Sequence, residues 1–109
     1  MDRLSLTQQL DTIQVQLSML NIPNPRVERR RDEDPNLSLT WQGKDKIWRS
    51  LVALITRENT LYLEVNAWQD IEGVRHWRQQ RVKDIAQGYQ LVRGWTVDEL
   101  TQVGNGSPR

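Results

Sequence analysis

The chain has no cysteine, no phenylalanine and one histidine among its 109 residues. Without cysteine there is neither a disulfide framework nor a thiolate metal site, and a small secreted domain without disulfides is the less common case. The composition therefore points to the cytoplasm. Without phenylalanine, the five tryptophans must supply much of the aromatic filling that a core needs. The one imidazole, His76, has no cysteine to pair with and no HExxH-like spacing around it, which makes it a solvated residue rather than a ligand or general base. The six glycines never form GxGxxG or a Walker loop, so nothing cradles a nucleotide phosphate. Carboxylates are adjacent in sequence only as Asp32-Glu33-Asp34 and Asp98-Glu99, neighbours that splay apart on any regular element. The expectation is a protein with no catalytic site, no cofactor and no metal.

Neither sign of charge dominates. Fifteen Lys and Arg stand against 14 Asp and Glu, a net charge of +1, whereas a dedicated nucleic-acid binder usually carries a clear basic excess. Long apolar runs are also missing. No stretch approaches the roughly 20 residues of a membrane span, and the first residues lack the basic segment and apolar run of a signal peptide.

What is present reads as one α+β domain over residues 1–103, followed by a disordered tail over 104–109 with nothing to bury. The spacing of Leu6, Leu10, Ile13, Leu17 and Leu20 predicts a helix with one apolar stripe, opened by a capping box from Ser5 to Gln8. Val15 and Met19 form a thinner ridge on its other side. Pro23 and Pro25 end it. In "RVERRRDEDP" arginines and acids lie so close that their fields cancel within a Debye length, about 8 Å, which favours a self-paired loop or edge strand over a nucleic-acid arm.

From Asn36 the period becomes two. "LSLTW", "IWRSLVALIT" and "TLYLEVNAW", separated by polar turns, predict a three-stranded antiparallel meander. Residues 47–56 also suit a helical stripe, and the tight turns on both sides favour the strand. A second helix is expected from about Gln69 to Ala86, because Ile71, Val74, Val82 and Ile85 fall in one arc at about 100° per residue. Arg75 and Arg78 land in the same arc. Residues 87–94 then give a fourth strand or an ordered loop, and a Thr96–Glu99 capping box starts a short helix carrying Val97, Leu100 and Val103. The order implies helices segregated on one face of an antiparallel sheet, similar in topology alone to small chaperone and adaptor domains.

Alternation also assigns the other sheet face to Ser38, Thr40, Trp48, Ser50, Val52, Leu54, Thr56, Tyr62 and Glu64. A purely solvated face would not gather Trp48, Val52, Leu54 and Tyr62, so these are the candidate contacts for a protein partner or a second copy, unless residues 87–103 fold over them. Arg75 and Arg78 join the set as donors to an acidic partner, with Glu64 or the acids at 32–34 as internal alternatives. The function expected is non-enzymatic protein binding by an adaptor, assembly factor or chaperone-like protein. The alternative is a nucleic-acid-associated protein using Arg75, Trp77, Arg78, Arg81 and Lys83.

Overall fold

A computed structural model describes residues 2–102; the expected tail at 104–109, and Val103, lie outside the described residues. Helix α1 spans Arg3–Ser18, with its N-cap at Asp2, whose carboxylate accepts from the Ser5 N–H at 2.8 Å. An acidic cap therefore replaces the expected Ser5–Gln8 box and starts the helix earlier. Leu6, Leu10, Ile13 and Leu17 are buried as one stripe, while Val15 and Met19 are exposed on the solvent side.

Five strands follow as an uninterrupted antiparallel meander: β1 (Arg26–Arg30), β2 (Asn36–Gln42), β3 (Trp48–Ile55), β4 (Leu61–Ile71) and β5 (Val74–Val82). Helix α2 (Ile85–Arg93), a single 3-10 turn (Val97–Glu99) and a two-residue strand β6 (Thr101–Gln102) complete the described chain, β6 pairing with β5 at the sheet's edge. The α+β class stands. The number of strands is larger than the sequence suggested, and the sheet runs in sequence order.

The main correction concerns residues 69–86. Instead of one helix, residues 69–82 form the end of β4, a two-residue turn and all of β5, with Trp68 opposite Trp77 and Ile71 opposite Val74, and a helix begins only at Ile85. The turn explains the difference. Glu72 and Gly73 have φ of 53° and 78°, the left-handed conformation that a tight hairpin with matching strand twist requires at both central positions. Gly73 adopts it without a steric penalty, and once the chain reverses there, β5 pairs with β4 from Ile71 back to Leu63. The apolar arc through Ile71, Val74 and Val82 was a coincidence of two periods: all three lie on the same side of the sheet because they are an even number of positions apart within a strand or paired across it.

The next segment also differs. Residues 85–93, which include most of the 87–94 segment expected as a strand or loop, are helical because Asp84 caps the start, accepting from the Gln87 N–H at 2.7 Å. Gly88 lets this helix lie close on the sheet: a Cβ there would come within 2.9 Å of Val65 and 3.0 Å of Val82. The expected C-terminal helix shortens to one turn, with the Thr96 N–H and hydroxyl both donating to the Glu99 carboxylate at 3.2 Å.

Both helices pack on the same side. The core they enclose gathers Leu37, Leu39, Leu51, Ala53, Val65 and Ala67 from the sheet with the α1 stripe, Ile85, Val92 and Trp95. One charged group sits inside this layer. Arg49, with its side chain 4% exposed, donates from Nε to the Val92 carbonyl and from Nη2 to the Trp95 carbonyl, each at 2.8 Å, and makes a two-pronged bond to Asp45 at 2.9 and 3.1 Å. It joins the β2–β3 turn and β3 to the C-terminal end of α2 and the residue just beyond its cap, where the helix dipole favours a cation.

Replacing Arg49 by Ala removes its donors from the buried Val92 and Trp95 carbonyls, of which Val92 keeps the Trp95 N–H, and leaves Asp45 without its partner, so chemical denaturation should show a loss of about 2–5 kcal/mol. Asp45 gives a separate readout. The Arg49 guanidinium holds its carboxyl below the ordinary aspartate value of 3.8. A lowered folded-state pKa stabilises the fold above the unfolded value, and that contribution is lost as pH falls through the folded one. The stability gap between the wild type and Asp45→Asn should accordingly be full at neutral pH and close as pH falls through 3.8 and below.

Candidate functional site

The outer face of the sheet is built by alternation and register. Residues opposite one another across antiparallel strands share a face. The pairing places Trp48, Trp68 and Trp77 in one transverse row across β3, β4 and β5, and Thr40, Ser50, Asn66 and Gln79 in the row beside it. A third row runs Ser38, Val52, Glu64, Arg81, and Leu54 lies opposite Tyr62 beyond it. Trp48 and Trp68 stack, with ring centroids 6.5 Å apart and planes 12° from parallel. Trp48 remains 41% exposed.

All four apolar residues expected on this face, Trp48, Val52, Leu54 and Tyr62, are there. The alternative, cover by residues 87–103, does not occur among the described residues: α2 lies against the helix-bearing side, and no described helix packs on the outer face. The two candidate sets also converge. Arg75, Trp77 and Arg81, proposed for nucleic acid, project from β5 onto the same outer face as the protein-contact set. Arg78 is separated from them. It lies on the opposite face, its guanidinium carbon 4.5 Å from the Trp95 ring centroid and Nη1 3.5 Å from Glu99. Lys83 is exposed in the link between β5 and α2. Neither arginine finds the carboxylates expected from the sequence, since Arg75 pairs with Asp70 at 2.8 Å. His76 belongs to β5 rather than a helix and is half-buried on the helix-bearing side.

The electrostatics of the face are close to balanced. Arg26 pairs with Glu28, Arg30 with Asp32 and Arg75 with Asp70. The hydrogen bond from Arg75 holds the Asp70 carboxyl below its usual range, and the same bond raises the guanidinium. Arg81 lies over the Tyr62 ring, 4.8 Å from its centroid. The charge with the most unusual setting is Glu64, only 4% exposed and held by donors from the Asn66 amide at 2.9 Å and the Gln79 amide at 2.8 Å. Amide donors satisfy this carboxylate on a face open to solvent, which fixes Asn66 and Gln79 in place.

Between the tryptophan row and the hydroxyl rows the face is concave. A hollow of about 320 Å³ is lined by Ser38 and Thr40 of β2, Ser50 and Val52 of β3, Asn66 and Trp68 of β4, and Arg75 and Trp77 of β5. The sequence did not bring Trp68, Asn66 and Gln79 into the site, because the strand was expected to stop where the helix began at Gln69. The signal was present: the alternation Glu64, Asn66, Trp68, Asp70 resumes as Arg75, Trp77, Gln79, Arg81 after Glu72-Gly73. Among the described residues no cluster of three His, Asp or Glu side chains is arranged to hold a metal ion. No described helix is long and apolar enough to cross a membrane.

Set against protein-family models, curated proteins and solved structures, the chain has no significant match.

Because three of the face's arginines are already paired, it lacks the run of open cations that binds a phosphate backbone. Single-stranded DNA or RNA of random sequence should bind in about 0.15 M salt no tighter than the non-specific range, about 10⁻⁴ to 10⁻⁶ M, as measured by fluorescence anisotropy. A submicromolar affinity lost in Trp77→Ala would reverse that expectation.

Proposed function

We propose that the protein is a non-enzymatic binding module of the cytoplasm, an adaptor, assembly factor or chaperone-like protein, that holds a protein partner or a second copy of itself on the outer face of its sheet. The observation that carries this reading is the one-sided placement of the helices. Both pack on the inner face, while Trp48, Val52, Leu54 and Tyr62 stand together on the outer one among hydroxyl, amide and paired charged groups. An apolar centre rimmed by polar side chains is the anatomy of a protein contact, and tryptophan, tyrosine and arginine are the residues enriched in such contacts. Near-neutral charge fits a protein partner better than a polyanion.

The opposite ends of the sheet support the same reading. β1 is an edge strand whose sequence, Arg-Val-Glu-Arg-Arg, is charged throughout apart from Val27, a composition that discourages edge-to-edge pairing with other sheets. Association through the face is left as the better route.

Leu54→Asp tests the proposal. The side chain is half-buried on the outer face and outside the core, so the substitution should leave the melting temperature within a few degrees of wild type, as expected of surface changes within about 0.5 kcal/mol. Association should be lost, read by sedimentation for self-association and by affinity capture for a partner, each beside the wild type. A folded variant with unchanged size and undiminished capture would rule the proposal out.

A further inference from the structure

The hollow in the outer face has a chemistry more specific than the face around it. We infer that it receives a tyrosine side chain of the protein partner. This rests on the protein-binding reading above and names the anchor that the face selects. Four observations lead to it.

Its size comes first. The hollow, about 320 Å³ and open on its outer side, sits at the low end of small-ligand pockets, about 300–1,000 Å³, and has room for a single ring and its contacts. Its walls come second: Trp68 and Trp77 stand side by side across β4 and β5, and Val52 closes the apolar part from β3. Flat apolar walls favour a flat apolar body.

The floor is the third observation. Thr40, Ser50 and Asn66 lie next to one another in a transverse row, with Ser50 and Asn66 buried within the sheet. The hydroxyls of Thr40 and Ser50 make no side-chain hydrogen bond to another described residue, so they remain available to the occupant. A ring that carries a hydroxyl satisfies them, whereas an all-carbon ring leaves polar groups covered without partners and is rejected. Charge is the fourth. Arg75 stands at the rim and disfavours a lysine or arginine anchor, while Asp70 already occupies its Nε and Nη2 and leaves little for a carboxylate. An uncharged ring with a polar tip remains.

A nucleobase shares that description. The face favours tyrosine because its other arginines are paired or stacked and offer no path for the phosphates that accompany a base, while Trp48, Leu54 and Tyr62 continue the apolar surface a protein partner needs.

The test uses the full chain, isotope-labelled, titrated by NMR with N-acetyltyrosinamide, N-acetylphenylalaninamide and adenosine at millimolar concentrations, the range in which compounds of one ring bind. The tyrosine compound should move the indole N–H signals of Trp68 and Trp77 and the side-chain amide of Asn66, and bind at least about ten-fold tighter than the phenylalanine compound. Trp77→Val should remove the response. Ser50→Ala, which keeps both rings and deletes one hydroxyl, should narrow the gap between the two amides, and it gives the answer even if Trp77→Val does not fold. The inference is overturned if the tyrosine compound leaves these signals unmoved, if the phenylalanine compound binds equally well, or if adenosine binds more tightly than either. Failure here, with partner capture still lost in Leu54→Asp, removes the anchor and leaves the binding face standing; retained capture in Leu54→Asp removes the face itself.

Discussion

Arg49 is a full positive charge held almost out of water by four hydrogen bonds that it donates, two to the carbonyls of Val92 and Trp95 at and just beyond the end of α2 and two to Asp45. Burying such a group is tolerated only where its donors are satisfied, so the three segments that satisfy them are constrained together. The consequences extend through the layer. With Arg49 pointing inward from β3, the alternation of the strand turns Trp48 and Ser50 outward. With the Val92 and Trp95 carbonyls tied to that guanidinium, α2 ends on the same side of the sheet as α1. One buried side chain thus bears both on which face is filled and on which is left open.

The open face is organised by a second buried charge. Glu64 holds the Asn66 and Gln79 amides, and the register places them between the tryptophan row and the Val52–Arg81 row. Polar groups at the middle of a sheet and aromatic rings on one side of them form a surface that is apolar enough to attract and polar enough to select. The paired arginines around it add solubility without a strong field.

Much of this was legible in the chain. The α1 stripe, the strands around "LSLTW", "IWRSLVALIT" and "TLYLEVNAW", and the placement of Trp48, Val52, Leu54 and Tyr62 on one face all follow from local periods, which depend only on the geometry of a helix or a strand. The hairpin at Glu72-Gly73 was not read because a nine-residue strand with arginine and glutamine on both faces and a histidine on the inner one has no clean alternation of apolar and polar positions. Arg78 illustrates the cause. It occupies an inward position on β5 and is accommodated by the Trp95 ring and Glu99, groups roughly twenty residues further along the chain. α2 was missed for a similar reason: "QGYQLVRG" has too few apolar residues to declare a period, and its helicity relies on the Asp84 cap and on Gly88 meeting Val65 and Val82.

The sequence by itself determined the class, the alternation that divides the sheet into two chemically different faces, and the near-neutral charge that argues against a polyanion partner. Only the tertiary structure decided that β5 adds Arg75, Trp77 and Arg81 to the same face as the apolar four, that Arg78 belongs to the other, and that α2 leaves the face uncovered. Periodicity is a property of neighbouring residues, whereas the side on which a helix docks is fixed by contacts such as Arg49 with Val92 and Trp95, more than forty positions apart, and no local pattern records them.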